Sequence, residues 1–101
     1  MADIETRLRA LEQRYAELGE QLSAPDVYQD LERVQRLSQE QARLREVVEV
    51  GGAWRGAQRA AREAEEMARG ESDEEMRALA HDEERAQRAA EDAALARLRL
   101  L

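Results

Sequence analysis

The 101-residue chain contains no cysteine, no phenylalanine and no lysine, and it has one proline, one tryptophan and one histidine. Without cysteine there is neither a disulfide framework nor a thiolate metal site. No apolar run approaches the length of a membrane-spanning helix, and Met1-Ala2-Asp3-Ile4-Glu5 lacks the basic-then-apolar pattern of a signal peptide. A soluble, cytoplasmic protein is therefore expected, with no membrane partner. Leu, Ile and Val together number only 18. With a net charge of −7, that approaches the composition of disordered chains and predicts a small core of marginal stability in isolation. All 16 basic residues are arginine, a bias that fits a GC-rich genome better than a nucleic-acid-binding surface.

What the chain does have is helix. Ala, Glu, Leu and Arg supply 64 of the 101 residues, and the apolar positions recur in steps of three and four. Ile4, Leu8, Leu11, Tyr15, Leu18 and Leu22 form one such series, and Leu31, Val34, Leu37 and Leu44 begin another. Pro25 lies between them, where it cannot sit inside one continuous helix, so the chain must reverse there. The fold class expected is all-α: an antiparallel coiled-coil-like helical hairpin with a shorter first helix packed on it. It forms one domain over residues 1–101, with helices at about 3–22, 30–69 and 73–99.

Local signals set these bounds. Asp3 reads as the first N-cap and Gly19 as a residue that loosens the last turn of helix one. Pro25 is suited to open a short helical turn. Gly70 reads as a left-handed C-terminal residue, and Ser72-Asp73-Glu74-Glu75 as a capping box in which Ser72 and Glu75 satisfy two backbone N–H groups reciprocally. Gly51-Gly52 should each cost about 1 kcal/mol inside a helix. Continuity is still favoured, because Val47, Val50, Trp54, Ala57, Ala61, Ala64 and Ala68 keep their rhythm across the pair. Met76, Leu79, Ala86, Ala89 or Ala90, and Ala93 are expected to supply the facing seam of helix three.

Residues capable of chemistry are few. His81 is followed by Asp82-Glu83-Glu84 on a helix, where a lone histidine reads as a surface residue. Thr6, Ser23, Ser38 and Ser72 have no neighbouring base, which leaves serine catalysis without support. Glu63, Glu65, Glu66, Glu71, Asp73, Glu74, Glu75, Asp82, Glu83 and Glu84 greatly outnumber Arg69 and Arg77 around the expected hairpin tip. They suit a solvated face better than a cation site or a dock for a basic partner, and the alternating ligands of a calcium loop are missing. Arg55, Arg59, Arg62 and Arg69 share one helix face that could follow a phosphate backbone. Pairing with acids of helix three is the expectation preferred, and Trp54 is read as core. The chain is not read as an enzyme: no catalytic, cofactor-binding or metal residue is assigned, no cofactor is expected, and binding residues are left unassigned.

The order of the motifs carries a resemblance. Leu22-Ser23-Ala24-Pro25-Asp26-Val27 is followed by Asp30-Leu31-Glu32-Arg33-Val34, Leu37-Ser38-Gln39-Glu40, Glu46-Val47-Val48, Trp54-Arg55 and Asp73-Glu74-Glu75-Met76-Arg77-Ala78-Leu79-Ala80. In this order the chain resembles the N-terminal helical domain of bacterial peptide chain release factor 1, over nearly its whole length. Ser23-Ala24-Pro25 favours factor 1 over the related factor 2. Gly51-Gly52 is followed by Ala53, so it is not the Gly-Gly-Gln loop of peptide release, and the tripeptide that reads the stop codon is also missing. The resemblance implies a fragment of a longer release factor with a non-catalytic role in translation termination. It implies docking near the ribosome's GTPase-associated centre, against the stalk-base protein and nearby rRNA, and help to the GTPase that recycles release factors. The residues alone leave two alternatives: a structural or oligomerisation coiled coil, and a tRNA-binding helical arm. Leu95, Leu98, Leu100 and Leu101 raise the question of self-association in an isolated piece.

Overall fold

The computed structural model describes residues 3–101. Among them the order is α1 (Ile4–Ser23), a 3-10 turn (Pro25–Gln29), α2 (Leu31–Gly70) and α3 (Glu74–Leu100), with no strand. The fold is all-α. Two compact units divide it, Met1–Glu49 and Val50–Leu101, and α2 contributes to both.

The first unit is a hairpin of α1 and the first part of α2. Asp3 caps α1 by accepting the Thr6 N–H at 2.8 Å, and that hydrogen bond holds its carboxyl below the ordinary value. At the other end the Ser23 hydroxyl donates to the Gly19 carbonyl at 2.8 Å. Ala24 is extended, as a residue before proline should be. The 3-10 turn opened by Pro25 then tucks Val27 into the core. It is tied back by the Tyr28 hydroxyl, which donates to the Leu22 carbonyl at 2.8 Å. Asp30 caps α2 through the Arg33 N–H at 3.1 Å. Leu18, Val27 and Leu37 are buried together, with Leu22, Val34 and Leu44 packed on them. Each such large side chain contributes roughly 1.5–3 kcal/mol. Leu11 and Leu31 depart from the expected seams, at 36% and 75% exposed. Leu31 is the first residue of α2, ahead of the turn in which its apolar face meets α1.

The second unit is a hairpin of the rest of α2 and α3. Helix α2 crosses Gly51-Gly52 without a break. A Cβ at Gly52 or Gly56 would meet nothing within 4 Å, so neither glycine is required for close approach within this chain. Trp54, Ala57, Ala61, Ala64 and Ala68 are all buried. Trp54 is a core residue, as its spacing suggests, and its indole N–H has no hydrogen-bond partner among the described residues.

Three expectations for this unit need correction. Gly70 is not left-handed, since no glycine among the described residues has positive φ; it is simply the last residue of α2. The box of Ser72 and Glu75 does not form. Asp73 is the N-cap, accepting the Glu75 N–H at 3.0 Å, while Glu71 accepts the Asp73 N–H at 3.0 Å. A carboxylate is an equally good cap, and this one shifts the helix start by one residue. Finally, Met76, Leu79, Ala86, Ala89, Ala90 and Ala93 are all exposed. The seam of α3 runs instead through buried Ala80 and Leu98, with Glu84, Gln87, Glu91 and Ala94 half-buried between them. Long polar side chains thus stand half-buried where alanine was expected, and their methylene stems are suited to lie on apolar surface. Arg88, on the edge of this seam, reaches Glu65 of α2 at 3.2 Å.

Candidate interaction surfaces

His81 sits on the exposed side of α3 with Nδ1 3.8 Å from Glu84. With Glu74, Arg77 and Ala78 it lines a shallow open depression. Nothing there encloses a reacting group, and no nucleophile faces the imidazole. Ser23 is used to close α1 and the Thr6 N–H to open it. Among the described residues no three His, Asp or Glu side chains are placed to hold a metal ion.

Three of the four arginines on the shared face of α2 do not pair with α3 as anticipated. Arg59 and Arg62 are exposed, and neither forms an ion pair with α3 among the described residues. Arg69 turns back to Glu65 within its own helix at 2.5 Å, and Arg55 is half-buried. One ion pair across the hairpin has the opposite polarity: α2 supplies the carboxylate of Glu65, and α3 supplies Arg88, which also contacts Glu91 at 3.3 Å and Glu84 at 3.9 Å. The reason is the α3 phase described above, which brings Arg88 rather than an acid to the edge of the seam.

The first unit has a tighter polar clasp. Arg14 presents Nε and Nη2 to the two carboxylate oxygens of Glu40 at 2.6 and 2.8 Å. Such a two-pronged bond is among the stronger side-chain contacts. The Arg14 hydrogen bond holds the Glu40 carboxyl below its ordinary value, and its reciprocal raises that of Arg14.

The carboxylates around the end of the second hairpin surround exposed apolar side chains, of which Met76 and Leu79 were expected in the seam of α3. Met67, Met76 and Leu79 are 61%, 48% and 60% exposed. Met76 and Leu79 look like seam residues by type, and only the phase set by Ala80 and Leu98 reveals them as surface. That phase is the signal that could have found them.

Compared with known proteins, residues 11–101 match the family model of the PCRF domain. No curated protein and no solved structure gives a significant match.

Proposed function

This chain belongs to the PCRF-domain family, the helical domain of peptide chain release factors and so of translation termination, and we propose that it acts there as a non-catalytic docking domain on the ribosome. The observation that carries the reading is the family match over residues 11–101. The surfaces agree with it. The depression lined by His81 is open, and the exposed features are broad faces of charge and apolar side chain suited to a large partner.

The finer reading follows the resemblance at Ser23-Ala24-Pro25: a domain of the factor 1 type, docking near the GTPase-associated centre in the cytoplasm. Its contacts there are the stalk-base protein and nearby rRNA, and the recycling GTPase is a further partner. Ribosome retention tests this. The chain, immobilised, should hold ribosomes, and ribosomes lacking the stalk-base protein should be held several-fold less well. Equal retention of both would overturn the placement.

A further inference from the structure

One flank of the second hairpin combines bare apolar side chains with charge of a single sign. The Glu65–Arg88 bond marks the opposite flank. At about 100° per residue, Met67 lies two positions and some 200° round α2 from Glu65, and Leu79 lies nine positions and about half a turn round α3 from Arg88. Met76 is one turn before Leu79 and shares its face. Met67 is three residues from the end of α2 and Met76 is the third residue of α3, so the three stand together beside the turn.

Acids rim this patch. Glu63 is one turn before Met67 and Glu71 follows directly on the end of α2, and Glu75, Asp82 and Glu83 are one turn either side of Leu79. Asp82 pairs with Arg85, and Glu83 accepts from Gln87. The carboxylates of Glu63 and Glu75 have no ion-pair partner among the described residues. From position 63 to position 84 ten acids face two arginines.

We propose that the flank of Met67, Met76 and Leu79 is a docking surface for a basic, amphipathic protein segment. Apolar side chains of that segment seat on the three residues, and its Lys or Arg side chains reach the carboxylate rim. An apolar patch with a polar border is the mark of an interaction site. Methionine is the side chain that adapts best to an incoming shape. The charge selects the occupant. A second copy of this flank would bring the same carboxylates, and nucleic acid would bring phosphate, so both are repelled; a basic segment is attracted and oriented. The proposal deepens the docking reading above and rests on it for the ribosomal setting alone.

The test uses two synthetic helical peptides of equal positive charge, one of Leu and Lys in amphipathic order and one with each Leu replaced by Ser. At physiological salt the chain should bind the first about tenfold more tightly. The triple variant Met67→Ser, Met76→Ser, Leu79→Ser should lose that preference while keeping its helical circular dichroism, because all three side chains are exposed. If it fails to fold, Glu63→Gln with Glu75→Gln, which leaves the apolar flank intact, must weaken binding of the Leu/Lys peptide. Equal binding of the two peptides, an unchanged preference in the triple variant, or tighter binding of an RNA hairpin than of the Leu/Lys peptide would each overturn the proposal. Ribosome retention separates the two readings. A peptide preference without ribosome binding sinks docking on the ribosome and leaves this surface standing. Ribosome binding without the preference does the reverse.

Discussion

The first unit packs around leucine and valine, the second around alanine. In the first, Leu18, Val27 and Leu37 are buried as a cluster. In the second, Ala57, Ala61, Ala64, Ala68 and Ala80 make up most of the buried set, with Trp54 and Leu98 as the only large members. The difference is one of information as well as energy. A leucine has one rewarding place to point, and a series of them fixes the rotation of a helix. Alanine gains so little by burial, and so little is lost by exposing it, that an alanine-rich helix has several faces of similar merit. In such a helix the few large residues and the long polar ones decide the phase.

Removing volume from the first unit should have the largest effect. Leu18 is fully buried, so Leu18→Ala should cost about 2–5 kcal/mol through lost burial and the remaining cavity. Denaturant titration followed by circular dichroism would show the midpoint fall. A change under about 1 kcal/mol would mean that the cluster collapses around the gap, and that the contrast between the units is weaker than the packing indicates.

Adding volume to the second unit comes next. Ala61 is fully buried in a seam of small residues that lets two helices approach closely. Ala61→Leu should therefore destabilise by about 1–3 kcal/mol through overpacking, because Leu is nearly as good a helix former as Ala and propensity contributes little. A rise in stability would show spare room in the seam and would remove the distinction between a leucine core and an alanine seam.

The same contrast explains how much of the molecule was legible beforehand. The reversal at Pro25, the burial of Leu18 and Leu37 and the Asp3 cap followed from residue types whose preferences are strong, and the continuity of α2 through Gly51-Gly52 followed from the apolar rhythm that crosses the pair. The face of α3 did not. Ala86, Ala89, Ala90 and Ala93 formed an apparent apolar stripe, but the stripe is solvent-facing, and Glu84, Gln87 and Glu91 lie between Ala80 and Leu98. Hydrophobic type was a poor guide because the stems of long polar residues cover alanine as well as another alanine would. The candidate surface was hidden by the same error, since Met76 and Leu79 were placed in the seam that they flank. Its acidic border, by contrast, stood in the sequence from Glu63 to Glu84.

The smallest expected effect is electrostatic and belongs to the first unit. Glu40 receives both prongs of Arg14, and the hydrogen bond lowers its carboxyl pKa from an ordinary value of 4.5. A carboxyl whose pKa is lower in the folded chain than in the unfolded one stabilises the fold above the unfolded value, and this contribution disappears as pH falls through the folded value. Asp3, lowered by its Thr6 cap, acts in the same direction. Stability should therefore decline on acidification below 4.5, the ordinary value for Glu40. Glu40→Gln should lose a little stability at neutral pH and show a shallower decline, because the substituted side chain has no proton to take up. The half-exposed setting keeps the effect small. Melting temperatures of both chains across that acid range would check it, and parallel curves would mean that the Arg14–Glu40 clasp contributes nothing to the first unit beyond its leucine and valine core.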